Sequence, residues 1–380
     1  MKKKVISSLL CMAMVAGLLA GCGSSQTSTA ASSSPAPAAA STAAEGSVSS
    51  SVAASGSASA SAGDSSLTGK KFAIVTKSAG NPYNEKEADG FQKVVEAEGA
   101  TCIVKNPDAT TADAQLSVIQ SLISQKVSSI CVAANDENAL QASLQEAMKA
   151  GIKVSCLDSK VNPASRATFV NQAGTTEIGQ ALMDAVYDIS GGSGDWAILS
   201  ATSQAANQNA WIDAMKTIMK NNAKYSKLNL VEVAYGDDEN QKSTDQTQAL
   251  LSKYPNLKVI CAPTTVGISA AAKVLQDQKS KVKLTGLGLP SEMSEYIGTD
   301  AQHSCPYMFL WNPSDVGRLG AYTSIALVKG EITGKAGESF KAGDMGDYKI
   351  TQASDGGTEI ILGAPFKFDP SNINDWKGVY

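Results

Sequence analysis

Histidine is almost absent from this sequence, in which His303 is the only one among 380 residues. A single histidine cannot supply the His/Cys ligand set of a zinc site, and no cysteines are spaced as CxxC. His303 also lacks recognisable partners for a Ser-His-Asp relay. The patterns GxSxG, GxxxxGK[ST] and HExxH do not occur. We therefore predict a protein that is not an enzyme, with no catalytic residues, no metal site and no cofactor.

Charge is also scarce, and the lysines and arginines form no basic stripe. Charged residues make up 18% of the chain, and its formal net charge is −4. This composition argues against nucleic acid as a partner. After the first 22 residues no segment is apolar enough to cross a membrane. The later cysteines mostly lie in apolar, strand-like runs, so we expect free, buried thiols rather than disulfides: Cys102, Cys131, Cys156, Cys261 and Cys305.

The N-terminus has the pattern of an export signal. Three lysines precede an apolar stretch from residue 5 to residue 19, which is short for a transmembrane helix. The sequence Leu19-Ala20-Gly21-Cys22 follows and resembles a bacterial lipobox. That resemblance implies cleavage before Cys22 and lipidation of Cys22, which would anchor the protein to the outside of the cell membrane. An ordinary signal peptide with a chance cysteine is the alternative.

Residues 23–69 consist mostly of Ser, Ala, Gly, Thr and Pro and show no apolar periodicity. Such a segment cannot bury enough apolar surface to offset the entropy of ordering it. We therefore interpret it as a disordered tether between the membrane and a folded body. The body, from about residue 70 to the end, is long for a single core and suits two domains.

Within the body, short apolar runs rich in β-branched residues alternate with helical patterns. KFAIVTK, SSICVAA and DWAILSA are examples of the predicted strands. Alternating strands and helices with nearly continuous apolar strands predict parallel sheets covered on both faces. This alternation of strands and helices occurs in two successive sets along the chain, so we predict an α/β fold with two doubly wound lobes and a cleft between them.

Ligands of open α/β sheets bind beyond the carboxyl ends of the strands, where this sequence places mostly amides and hydroxyls. Turn and cap positions favour some of these residues in any protein. Lys77 and Gln208 are poor helix caps and therefore stand out as candidate ligand contacts. Mixed donors and acceptors without a cluster of charge favour a small, neutral, polyhydroxylated ligand, because each hydroxyl needs both a donor and an acceptor.

Several segments carry a resemblance to a known family: IVTKSAGNPY, GIKVSCLDSK, ATFVNQAGT, NQNAWIDAMK, VICAPTTVGISAAA, LTGLGLP and FLWNPSDVG. With the lipobox and tether, they resemble ABC-transporter substrate-binding lipoproteins of the ribose-binding type, also called type I periplasmic binding proteins. The similarity covers about residues 70–380 and is greatest to the subgroup that binds rhamnose or autoinducer-2.

The resemblance implies ligand-binding roles for residues that match the autoinducer-2 receptors: Lys77, Asp158, Gln208 and Pro263. Two further ligand positions differ, since Asn207 stands where those receptors have aspartate and Thr265 where they have alanine. Leu157 also replaces the tryptophan that precedes the aspartate. These differences leave the ligand open between autoinducer-2, placed first, rhamnose or a similar deoxyhexose, and another pentose or hexose.

Two aromatic residues are additional candidates for the cleft. Trp311 follows the predicted strand SCPYMFLW and lies either beside the ligand or in the packing of the hinge, and Tyr83 is a weaker candidate for the cleft wall. The resemblance further implies a monomer whose lobes close around the ligand and dock on an ABC permease. A sensor that binds the ligand without transporting it is the alternative.

The resemblance also suggests how the chain divides between the lobes. We expect residues 70–173 and 288–310 in the N-terminal lobe, and residues 174–287 and 311–380 in the C-terminal lobe. The chain would then cross between the lobes three times, near 172–174, 286–289 and 310–312.

Overall fold

The computed structural model describes residues 66–380. The predicted signal peptide, the lipidation site Cys22 and nearly all of the predicted tether therefore lie outside the described residues. Among the described helices, none has both the length and the hydropathy needed to cross a membrane.

Strands and helices alternate through most of the described chain. The strands are β1 (Lys71–Val75), β2 (Thr101–Lys105), β3 (Ser129–Val132), β4 (Lys153–Leu157), β5 (Phe169–Ala173), β6 (Gly194–Ser200), β7 (Leu228–Tyr235), β8 (Leu257–Ala262), β9 (Lys283–Gly286), β10 (Met308–Leu310), β11 (Ser339–Lys341), β12 (Asp347–Lys349), β13 (Thr351–Gln352), β14 (Thr358–Gly363) and β15 (Phe366–Phe368). The helices are α1 (Pro82–Ala97), α2 (Ala112–Ser124), α3 (Gln141–Lys149), α4 (Thr175–Ser190), α5 (Ala206–Asn221), α6 (Asn240–Lys253), α7 (Thr265–Asp277), α8 (Pro290–Met293), α9 (Pro313–Lys329) and α10 (Ile373–Trp376).

The first sheet has the strand order β13-β14-β5-β4-β3-β1-β2 within the described residues. All its pairings are parallel except that of the short edge strand β13. Both faces are buried: Phe72 and Ile74 of β1 pack in one apolar cluster, whereas Ala73 and Val75 pack in another. Helices cover both sides of such a strand, which explains its uninterrupted apolar sequence.

The second sheet has the order β7-β6-β8-β9, and all of its pairings are parallel. It continues beyond β9 through an isolated parallel bridge between Leu287 and Phe309. Strand β10, which contains Phe309, pairs antiparallel with β15. The prediction of two parallel-sheet lobes in an α/β fold is therefore confirmed.

The structure contradicts the predicted division of the chain between the lobes for residues 288–310 and for residues 313–363. Helix α9 packs on α1 of the first lobe so closely that a Cβ atom on Gly317 would lie 1.9 Å from the Glu87 carbonyl oxygen. Strand β14 pairs with β5 in the first sheet, whereas β10 joins the second. Apolar periodicity shows that an element is buried but does not show against which sheet it packs.

We therefore define the first lobe as residues 66–173 and 313–363, and the second lobe as residues 175–310 and 366–380. The chain passes between the sheets after β5, between β10 and α9, and between β14 and β15. It does not cross near 286–289 as predicted, because β9 and β10 are neighbours in the second lobe. The cysteines of the described chain are all free, and all but the half-buried Cys102 are buried.

A candidate ligand-binding site between the lobes

The carboxyl ends of strands from both sheets meet at one place in the described structure. Lys77 and Asp158 follow β1 and β4 of the first lobe. Asn207 and Gln208 lie in the first turn of α5, after β6, and Pro263 follows β8 of the second lobe. Parallel strands bring their carboxyl ends to the same edge of a sheet. Side chains distant in sequence are thereby placed opposite one another across the cleft.

Lys77 connects the two lobes through hydrogen bonds. Its Nζ atom donates to Asn207 Oδ1 at 2.8 Å and to Gln208 Oε1 at 3.3 Å. The same nitrogen lies 3.8 Å from Asp158 Oδ2. All four side chains are buried. A buried ammonium group needs such partners because losing its hydration is costly.

Asp158 is the acceptor on which several donors converge. Asn207 Nδ2 donates to its Oδ2 atom at 3.1 Å, while the Tyr83 hydroxyl and Gln172 Nε2 donate to its Oδ1 atom at 3.1 and 3.3 Å. Burial raises the pKa of the Asp158 carboxyl, while Lys77 and the hydrogen bonds act in the opposite direction. Asp158 has a φ of 57°, a conformation that is uncommon outside glycine and is often found at binding sites.

Two aromatic side chains support this carboxylate. Trp311 Nε1 donates to the Tyr83 hydroxyl at 2.7 Å, and the Trp311 ring meets Trp211 edge to face with centroids 5.7 Å apart. Burial, followed by the negative charges of Asp158 and Glu87, raises the pKa of Tyr83. Tyr83 therefore remains a neutral hydroxyl group that accepts from Trp311 and donates to Asp158.

The structure brings together all of the ligand-side residues predicted from the sequence. They line one cavity that encloses about 370 Å³, including space open to solvent: Lys77, Tyr83, Asp158, Asn207, Gln208, Pro263, Thr265 and Trp311. Their role in binding a ligand stays a prediction.

Asp238 lines the same cavity but was not among the predicted site residues. It lies just beyond the carboxyl end of β7 and has a φ of 54°. The Thr264 hydroxyl donates to its Oδ1 atom. Burial raises the pKa of the Asp238 carboxyl, while the nearby charge of Lys77 lowers it. Applying the strand-end rule to the Gly236-Asp237-Asp238 segment would have identified it.

Apolar side chains complete the cavity wall. Trp211, Leu287 and Leu310 line it together with Pro263. Trp211 was not among the candidate ligand contacts predicted from the sequence. The cavity therefore combines one cation, two carboxylates, amides and hydroxyls with an apolar surface. This combination suits a small ligand that carries several hydroxyl groups and a short apolar part.

Comparison with known proteins identifies the family to which this sequence is similar. The sequence model of a family described as a periplasmic binding protein domain matches residues 72–332. An ABC transporter solute-binding protein from Clostridium phytofermentas, solved with bound L-rhamnose, is 63% identical. That match has a TM-score of 0.81 and covers 83% of this chain and 100% of the other.

Two more distant proteins were also found. LsrB from Clostridium saccharobutylicum, in complex with AI-2, is 21% identical with a TM-score of 0.75, and the match covers 80% of this chain and 99% of the other. At this identity the likeness concerns the fold alone. The D-apiose import binding protein of Actinobacillus succinogenes is 22% identical over 226 residues, which are 59% of this chain and 70% of that protein.

Proposed function

Since the chain belongs to the family of periplasmic binding protein domains, we propose that it binds L-rhamnose outside the cytoplasm and delivers it to an ABC importer. The observation that carries this proposal is the 63% identity to a protein solved with L-rhamnose, over the whole length of that protein. The family match confirms the resemblance noted in the sequence and the prediction of a binding protein rather than an enzyme.

Rhamnose replaces autoinducer-2 as the favoured ligand. The relative that was solved with AI-2 is only 21% identical. Asn207 and Thr265 also differ from the residues that the resemblance to autoinducer-2 receptors implies. Asn207 is neutral and supplies a donor as well as an acceptor, which suits a ligand hydroxyl. Both observations favour the sugar.

The cavity chemistry supports a deoxyhexose in particular. Asp158 and Asp238 supply acceptors, Lys77 supplies donors, and Asn207 and Gln208 supply both. The apolar side chains around Trp211 offer a surface for the methyl group at C6 of rhamnose. In the described structure the polar groups bond largely to one another, so the sugar hydroxyls would replace these bonds as the lobes close around the ring.

Three further parts of the proposal rest on the sequence and the family alone. Cys22 would carry the lipid that anchors the protein to the outer face of the cell membrane. The protein would act as a monomer, and its closed form would dock on the permease. We propose transport rather than sensing without transport, because the D-apiose relative is described as an import binding protein.

Calorimetric titration of the purified protein with L-rhamnose, L-mannose and autoinducer-2 tests the ligand. L-Mannose differs from L-rhamnose only by a hydroxyl at C6. We expect L-rhamnose to bind and L-mannose to bind at least about tenfold more weakly, since the apolar wall leaves that hydroxyl without a partner. Binding of autoinducer-2 without rhamnose would overturn the proposal.

A pair of variants tests whether the sugar binds in the cleft. Asp158→Asn should weaken rhamnose binding strongly, because it removes the carboxylate on which the donors converge. Asp213→Asn changes an exposed carboxylate on α5 and should leave the affinity unchanged. Equal affinities for the two variants would place the sugar elsewhere.

A further inference from the structure

Trp311 lines a second cavity in addition to the cleft. This cavity, the hinge groove, encloses about 830 Å³, including space open to solvent. Residues from both lobes form it. Asp315, Arg318 and Tyr348 belong to the first lobe, whereas Phe366 and Trp376 belong to the second. The groove lies where the chain crosses between β10 and α9 and between β14 and β15.

Aromatic rings make up much of the wall of the hinge groove. The rings of Phe366 and Trp376 have centroids 5.2 Å apart, and those of Trp376 and Tyr380 are 5.6 Å apart. Phe366 is 43% exposed, which makes it one of the most exposed large apolar side chains of the described chain. Exposed aromatic surface inside a groove is typical of a binding site rather than of a packed core.

Polar groups of both charges complement these rings. Arg318 Nη1 donates to Asp315 Oδ1 at 2.7 Å, and Arg318 Nη2 donates to Asp344 Oδ1 at 2.5 Å. Asp315 and Arg318 both line the groove, and Arg318 is paired with two carboxylates, those of Asp315 and Asp344. Charged groups that are already paired with one another still offer donors and acceptors to the hydroxyls of a neutral ligand.

Gln172 provides a buried acceptor beside the hinge groove. It lines the groove and is only 1% exposed. Its Nε2 atom donates to Asp158, but its Oε1 atom has no hydrogen-bond partner among the described residues. Leaving a buried acceptor unpaired is unfavourable, so a ligand hydroxyl that reached it would be stabilising.

We propose that the hinge groove is a second saccharide-binding site, distinct from the cleft. A sugar ring presents C–H groups that pack on aromatic faces and hydroxyls that bond to carboxylate, guanidinium and amide groups. The groove supplies all of these. The proposal does not require that the ligand of the cleft be rhamnose.

The test separates the two sites by mutating each one. Titrations of the purified full chain with L-rhamnose and with methyl α-L-rhamnopyranoside would be followed by calorimetry and by saturation-transfer NMR. In Lys77→Met, which disables the cleft, we expect weaker but saturable saccharide binding to persist. Adding Trp376→Ala or Arg318→Gln to this background should weaken that binding by about tenfold or more.

Two controls keep the result interpretable. Lys377→Ala changes an exposed neighbour of Trp376 and should leave both sites intact. Trp376→Ala alone should retain high-affinity sugar binding in the cleft, which would show that the variant is folded. Absence of saturable binding in Lys77→Met, or binding that neither groove variant weakens, would overturn the second site. If the cleft proposal is wrong, the unmodified protein would instead lack high-affinity binding of L-rhamnose.

Discussion

The Lys77 ammonium group donates a hydrogen bond to Asn207 Oδ1 across 2.8 Å, and this contact joins the end of β1 in the first lobe to the start of α5 in the second. Lys77 is only 5% exposed, so the bond is shielded from solvent. A ligand hydroxyl that enters here must compete with an existing contact between the lobes. In the proposed binding mode, ligand affinity and lobe closure would therefore depend on the same few atoms.

Lys77→Met tests this dependence. The substitution keeps an unbranched side chain but removes the charge, leaving Asp158 buried without its cation. Losing one member of a buried, hydrogen-bonded charge pair costs about 2–4 kcal/mol of binding free energy, which is roughly 30- to 1,000-fold in affinity. Calorimetry with L-rhamnose would measure the loss. The exposed Lys216→Met on α5 is the control, and equal affinities for the two variants would contradict the prediction.

Trp311→Phe isolates the support that the indole N–H gives to Tyr83. The ring contact with Trp211 is largely retained, while the hydrogen bond to the Tyr83 hydroxyl is lost. We expect sugar affinity to fall by about 1–2 kcal/mol, or roughly 5- to 30-fold, because Tyr83 is no longer held toward Asp158.

Trp196→Phe is the matched control for Trp311→Phe. Trp196 is fully buried in β6, and its indole nitrogen has no hydrogen-bond partner among the described residues. This variant should lower stability without altering sugar affinity. If both tryptophan variants weakened binding equally, the effect of Trp311 would come from packing and not from its hydrogen bond.

The candidate site was largely predictable from the sequence because strand ends are local signals. The apolar run of β1 ends just before Lys77, and that of β6 ends a few residues before Asn207. Placing these residues at the carboxyl ends of parallel strands required only the rule for open α/β sheets. Asp238 follows the same rule, but it lies in an acidic turn that resembles an ordinary loop and was therefore not selected as a candidate.

The C-terminal part of the chain could not be assigned to a lobe from the sequence in the same way. Helix α9 and strand β14 have the apolar patterns of buried elements, but both are joined to their partners through long-range packing. The contact of α9 with α1 depends on Gly317 and Gly90, which allow the two backbones to approach. Nothing local in the sequence specifies that α1 is the partner of α9.

Gly317→Ala tests the placement of α9 on the first lobe. The added methyl group would meet the backbone of Glu87 and Phe91, which cannot move aside as a flexible side chain would. We expect a loss of at least about 1–3 kcal/mol in the free energy of unfolding, measured by urea denaturation. Gly378→Ala is the control, since a methyl group added there would have no atom within 4 Å. Unchanged stability in Gly317→Ala would contradict the close approach of the helices.

Glu87 allows a prediction about pH. It lies on α1 with no exposed surface, and neither carboxylate oxygen has a hydrogen-bond partner among the described residues. Burial, followed by the charge of Asp158, raises the pKa of Glu87 well above 4.5, and only the charge of Lys77 opposes this. The folded protein therefore holds this proton to a higher pH than the unfolded chain does.

The sign of the effect on stability follows from proton linkage. Between pH 4.5 and the raised pKa of Glu87, the folded state binds more protons, so the free energy of unfolding falls as the pH rises. Glu87→Gln removes this titration, while Asp158 titrates in both proteins. The stability of the variant relative to the unmodified protein should then increase with pH, by at most about 1.4 kcal/mol per unit. Urea denaturation at pH 5, 6, 7 and 8 measures the difference, and a constant difference would mean that the Glu87 carboxyl titrates normally in the fold.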